Sequence, residues 1–278
     1  MVDGKCVYPD GSELIWASYL GGSDGENPHS LITNAAGELV VLGSTTSTDF
    51  PVTDGAFDET SNGEDITVTH ISFDGTNLIG STYVGGSGSD GTNVIWGNYG
   101  ETYRGEVFVD ATGNILVASF SSSSDFPVTS GALQSTLGGG QDGVIVKLNP
   151  ACTQVIASTF VGGPSDDSAM GIRIASNGDY FVIGSATGTG LPLPAGGYMP
   201  SFQGGTSDGY VIRVNSDLTM AMPARSARST RPTQLAQVMP PMDRSSACGS
   251  EGVGREVFMG STVILDIMAR SSANRHPP

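Results

Sequence analysis

Short runs of β-forming residues alternate with polar turns along residues 14–219. The runs cover 14–20, 29–34, 38–44, 66–73, 78–84, 106–110, 115–120, 144–148, 155–161, 169–175, 180–185 and 210–215. Each is four to eight residues long, rich in Val, Ile, Tyr, Phe and Thr, and bounded by Gly, Asp, Asn, Ser or Pro. That is the signature of strands joined by tight turns. No run keeps a helical spacing over three turns, so helical solenoids are excluded. Between the second and third run of each group lie Asn34-Ala35-Ala36-Gly37, Asp110-Ala111-Thr112-Gly113 and Ala175-Ser176-Asn177-Gly178. A glycine at the end of such a turn supplies the positive φ that a hairpin needs.

The runs recur in a fixed order with three landmarks. The first is Tyr19-Leu20-Gly21-Gly22, repeated as Tyr83-Val84-Gly85-Gly86 and Phe160-Val161-Gly162-Gly163. The second is Asp49-Phe50-Pro51, repeated as Asp125-Phe126-Pro127 and decayed to Gly190-Leu191-Pro192. The third places Asp65, Asp142 and Asp208 at the head of the last run of each group. Gly21 and Gly85 lie 64 residues apart, and Gly85 and Gly162 lie 77 apart. The longer second period is most simply read as carrying a loop insertion around 92–104. Four antiparallel strand signals per period, stacked in series, predict an all-β, β-propeller-type repeat with three four-stranded blades at 14–76, 77–153 and 154–219. Three blades make an incomplete ring. A parallel β-helix is the structural rival, but its coils are shorter than a period of this length.

The Tyr-Leu-Gly-Gly-Ser, Asp-Phe-Pro and Asp-Gly series resembles the bacterial seven-bladed beta-propeller (SBBP) repeat, in three copies over about 14–219. The resemblance implies a propeller within a large secreted or surface-anchored bacterial protein, located outside the cell, and a fragment of it, with the remaining blades missing. It implies no catalytic residues. No cofactor is expected, calcium apart. The stretch 1–13 is then a lead-in. Its first ten residues lack the basic and apolar segments of a signal peptide, which would belong to the missing N-terminal part.

Charge narrows the partners. Residues 1–219 hold 24 acidic residues against five basic ones, Lys5, Arg104, Lys147, Arg173 and Arg213. Phosphate backbones need clustered cations, so nucleic acid is excluded as a default partner. Anionic membrane surfaces are disfavoured for the same reason, and no apolar run is long enough for membrane insertion. Cys6, Cys152 and Cys248 have no metal-ligand spacing. A Cys6–Cys152 disulfide remains an option in an oxidising compartment. Near Met220 the register stops where another Tyr-x-Gly-Gly is due. Seven of the twelve basic residues, all Arg, and six of the nine methionines follow. The segment 220–278 reads as a poorly structured tail, either translated out of frame or a genuine extension.

Candidate chemistry is sparse. His29, His70 and His276 have no motif partners, and no nucleophile elbow, zinc-protease motif or phosphate loop is present. The carboxylates Asp24, Asp90, Asp166 and Asp167 after the glycine pairs, with Asp49, Asp125, Asp65, Asp142 and Asp208, repeat. An active site needs a group once, so repetition points to turn capping, with calcium at most weakly held. Tyr19, Tyr83 and Phe160 occupy one strand position and read as packing residues, as do Phe50 and Phe126 at the seams. The single-copy feature is the insertion, with Trp96, Asn98, Tyr99 and Tyr103. Aromatic faces stack on sugar rings while amides fix hydroxyls, which makes this the ligand-binding candidate, for a glycan or a protein at the cell surface. The expected function is therefore a non-enzymatic structural or adhesive module. A glycan- or calcium-dependent binding module is the alternative, and a propeller hydrolase or lyase a distant third.

Overall fold

The structure is a computed structural model that describes residues 4–7, 14–94 and 102–223. The chain divides into two units, 1–227 and 228–278. The second lies outside the described residues, and with it nearly all of the tail predicted at 220–278. The described part is all-β and contains no helix.

Thirteen strands form four antiparallel sheets. β1 (Gly4–Val7) pairs antiparallel with β2 (Leu14–Ser18). The first four-stranded sheet runs β3 (Glu26–Thr33), β4 (Leu39–Thr45), β5 (Asp65–Ile71), β6 (Leu78–Val84). The second runs β7 (Glu106–Val109), β8 (Ile115–Ser121), β9 (Asp142–Leu148), β10 (Val155–Val161). The third holds three strands, β11 (Asp167–Ile174), β12 (Tyr180–Ala186) and β13 (Asp208–Val214).

Twelve of the strands lie where the sequence pattern places them and β1 falls in the stretch read as a lead-in, but the twelve join different sheets. The pattern predicts three four-stranded units beginning at 14, 77 and 154. Instead, the first strand of each period closes the sheet before it. The turns explain this offset. After β5 the amide of Ser72 bonds the carbonyl of Asn77 at 2.9 Å, folding β6 straight back onto β5. After β9 the amide of Asn149 bonds the carbonyl of Gln154 at 3.1 Å and folds β10 back onto β9. The Gly-Gly segment then carries the chain away to open the next sheet. In the third sheet the same turn forms, with Asn215 bonded to Met220 at 3.0 Å, and Ala221 pairs with Val214. Among the described residues no fourth strand continues from there.

The turn glycines behave as expected between the first two strands of each sheet. Gly37, Gly113 and Gly178 have φ of 79°, 85° and 89°. Each donates its amide to the residue three before it, Asn34, Asp110 or Ala175.

The sheets stack face to face. Val40, Leu42, Ile66 and Val68 of the first sheet pack with Val107, Ile115, Val117, Val144 and Val146 of the second. On the opposite face of the second sheet, Leu116, Ala118 and Ile145 pack with Ile172, Tyr180, Val182, Tyr210 and Ile212 of the third. The period-2 pleat sends alternate residues of β8 into the two layers. A strand buried on both faces therefore reads as an unbroken apolar run, as Ile115-Leu116-Val117-Ala118 does. In the third sheet one face is covered and the other is not, and β13 returns to alternation: Tyr210, Ile212 and Val214 are buried while Val211 is exposed.

Candidate functional site

Two places concentrate polar chemistry. One is the repeated junction at each glycine pair, and the other is the recess beside the insertion at 92–104.

At the junction, a carboxylate four residues beyond the second glycine accepts that glycine's amide. Glu26 binds Gly22 at 2.9 Å, Asp90 binds Gly86 at 2.7 Å and Asp167 binds Gly163 at 2.6 Å. The sequence pattern names Asp24 and Asp166 beside Asp90 and Asp167. The equivalent group in the first copy is Glu26, while Asp24 donates its own amide to Ser47 Oγ at 2.7 Å and Asp166 accepts the amide of Gly140 at 3.0 Å. Spacing alone could have found this, because Glu26, Asp90 and Asp167 all fall at the fourth position after the pair.

A second carboxylate lies against the first glycine. Asp65 accepts the amide of Asn62 at 2.9 Å, and Asp142 accepts that of Gly138 at 2.7 Å and Gln134 Nε2 at 2.7 Å. A β-carbon on Gly85 would sit 1.9 Å from Asp65 Oδ1 and 2.8 Å from Asp90 Oδ2. On Gly162 it would lie 2.2 Å from Asp142 Cγ. Only glycine admits this approach. The two acids of the junction thus face each other across the glycine. Burial pushes Asp90 up to about 6 and Asp167 up to about 7, helped in each case by a neighbouring acid, while hydrogen bonds from the glycine amides pull the other way. Burial also raises Asp65 and Asp142. Asp208 is half-buried and accepts the amide of Gln203.

The Asp of Asp-Phe-Pro fixes the residue after the glycine pair. Asp49 Oδ1 accepts the amide and hydroxyl of Ser23 at 2.8 and 2.9 Å, and Asp125 Oδ1 does the same for Ser87 at 2.8 and 3.0 Å. Bonds to those amides lower both carboxylates. In the third copy Pro164 replaces the serine and has no N–H, and Gly190 replaces the aspartate. A β-carbon at Gly190 would meet Pro164 Cδ at 2.5 Å, so donor and acceptor are lost together. Phe50 and Phe126 are buried and pack on the aromatic of their own sheet's last strand: Phe50 on Tyr83 at 6.1 Å, Phe126 on Phe160 at 5.7 Å between ring centres. Pro51 accepts Ser81 Oγ at 2.7 Å, and Pro127 is half-buried. The Tyr83 hydroxyl donates to the carbonyl of Ser47 and receives the amide of Phe50, both at 2.9 Å. Tyr19 has no such pocket and is exposed.

Around the insertion, Trp96, Asn98 and Tyr99 lie outside the described residues, so only Tyr103 of that set is placed. It is exposed, with its ring 6.1 Å from that of His29. His29 borders a recess of about 250 Å³ lined also by Pro28, Ser30, Leu31 and Val41. Burial lowers His29 to about 4, and its Nε2 lies 3.3 Å from Ser44 Oγ. A neutral imidazole beside an exposed phenol ring can stack or hydrogen-bond with a neutral ligand, but it carries no charge near pH 7. His70 is tied into the fold, with Nδ1 2.8 Å from the carbonyl of Pro150 and Nε2 3.0 Å from Glu38.

Cys152 is a free, buried thiol, and burial pushes it up to about 12. Among the described residues no three His, Cys, Asp or Glu side chains gather as a metal site, and no helix is long and apolar enough to cross a membrane. No family model matches the chain, and no curated protein matches it.

Proposed function

We propose that the chain is a non-enzymatic, propeller-type scaffold of the SBBP class, from a secreted or surface-exposed bacterial protein, whose loops make contact with a protein or a glycan. Meandering antiparallel sheets stacked face to face support the propeller reading, as does the contact of their first strands, β3 with β7 and β7 with β11. The observation that carries the non-enzymatic reading is the use of the repeated acids. At both covered junctions they accept amides of their own turns, which is the work of a scaffold.

Contact with a ligand is assigned to the single-copy insertion. Tyr103 stands exposed beside the His29 recess, and Trp96, Asn98 and Tyr99 belong to the same loop. Aromatic faces on a loop carried by a rigid scaffold suit sugar rings. Calcium is the weaker reading, because two acids per junction fall short of the six to eight oxygens the ion takes. A glycan array read with the wild type and with a Trp96→Ala, Tyr103→Ala variant tests the assignment. Selective signals lost in the variant are expected. Identical profiles would remove this loop as the site.

A further inference from the structure

The two ends of the sheet stack are complementary, and we infer that one copy of this chain docks head to tail on another, β2 of the incoming copy completing the third sheet as its fourth strand. This rests on the observed strand order and on the repeat, not on the adhesive reading above.

The repeat makes the fit explicit. In the first sheet Tyr83 of β6 pairs with Thr67 of β5, and in the second Phe160 of β10 pairs with Val144 of β9. The corresponding residue of β13 is Tyr210, since Asp208 opposes Ala186 as Asp65 opposes Thr45. The motif residue with no such place is Tyr19, just after β2. It is 75% exposed, whereas Tyr83 and Phe160 are each 1% exposed. The chain's own segment on that edge is short among the described residues. Ala221 pairs with Val214 and Met222 donates its amide to the carbonyl of Arg213 at 2.7 Å, but Pro223 follows without an N–H, and by the repeat phase of the sequence Ser226 falls where the aromatic belongs.

The exposed faces agree. On the third sheet Phe181 and Val211 are 42% and 54% exposed, while their counterparts Leu116 and Ile145 in the second sheet, and Val40 and Val68 in the first, are fully buried. At the opposite end Leu31 is 58% exposed, while its counterparts Val107 and Ile172 are buried beneath the preceding sheet. Seating β2 on β13 brings the following Gly21-Gly22 turn and β3 over this face, as β10 leads into β11. A single docking event therefore covers Tyr19, Phe181, Val211 and Leu31, and sets Gly21 against Asp208 as Gly85 lies against Asp65. To dock this way β2 exchanges β1 for β13 and displaces Ala221 and Met222. The contact is heterologous, so it closes into a ring or runs on as a filament.

Two variants of the full chain test this, each carrying one new cysteine on a background in which Cys6 and Cys248 are replaced by Ser and Cys152 stays buried. By the register of Thr82 with Val68, Ser18 of one copy should oppose Val211 of the next. Chains carrying Ser18→Cys and Val211→Cys, mixed under mild oxidation, should give a mixed disulfide dimer that neither variant forms alone. Sedimentation velocity of the wild type should show concentration-dependent association, weakened about tenfold or more by Tyr19→Ser. Tyr19 is exposed in the single copy, so that variant keeps its fold. A wild type that stays monomeric at every concentration and a mixture that yields no mixed dimer would overturn the proposal. So would association that Tyr19→Ser leaves unchanged.

Discussion

The glycine-pair junction before the first four-stranded sheet and the one between the first and second sheets share one hydrogen-bond plan, with Glu26 in the first where the second has Asp90, yet the two acids shift in opposite directions. Burial is the largest single effect on Glu26 and pushes it up, but bonds from Ser47, Gly22 and Thr45 together outweigh it, so its carboxyl is lowered. Asp90 makes the matching bonds to Gly86 and Ser123, but burial dominates and raises it to about 6. The motif alone does not decide the outcome. What differs is the cover: the first junction has no complete sheet ahead of it among the described residues, and the second is closed by the sheets on both sides. A repeat motif is thus half of an environment, and the neighbouring unit supplies the rest.

The strongest way to break this comparison is to cut the aromatic at each junction. Tyr83→Ala removes a buried ring with two hydrogen bonds and is expected to cost about 3–5 kcal/mol. Tyr19→Ala, at the same motif position but exposed, is expected to stay within about 0.5 kcal/mol. Urea denaturation at low protein concentration measures both. Equal losses would mean that Tyr19 is buried in solution.

A smaller effect separates the junction acids. Asp90 and Asp167 are raised in the folded state, so the native protein holds their protons over a range where the unfolded chain has released them. Stability from these groups is greatest below the ordinary carboxylate range and is lost as pH rises through about 6 and 7. His29, lowered to about 4, works against this, because its contribution grows as pH rises from 4 to 6.5. Two acids outweigh one imidazole, so the melting temperature should fall between pH 5 and pH 8. Asp167→Asn should flatten that fall, and thermal melts at three pH values read it. A variant with the wild-type slope would remove Asp167 as its source.

Much of the fold is legible in the sequence because tight turns announce themselves locally. Residues 78–84 and 155–161 coincide with β6 and β10, and the hairpin glycines have the φ expected of them. The sheet to which a strand belongs is not written in its residues. The pattern begins a unit at Leu14, Leu78 and Val155, but each of these strands pairs with the strand before it. The turn after β9 and its equivalent after β13 are also hard to recognise, since Cys152 and Leu218 adopt φ of 54° and 57° where the turn after β5 has Gly75. Both side chains are fully buried, which offsets the cost of a backbone conformation that non-glycine residues rarely adopt. At the candidate site, the capping role of Asp49 and Asp125 was readable from repetition. The pairing of Asp65 with Asp90 was not, because it arises only when two sequence periods meet in space.

The central claim is that each sheet is completed by the first strand of the following period. Its most direct test is a pair of truncations, one ending at Thr153, where the second sequence period ends, and one ending at Gly163, after β10. The longer chain keeps two complete four-stranded sheets and should give a cooperative thermal transition by circular dichroism. The shorter one loses β10 and bares Phe126, Val144 and Val146, and should melt early or without cooperativity. Equal transitions in the two chains would contradict the offset between sequence period and sheet.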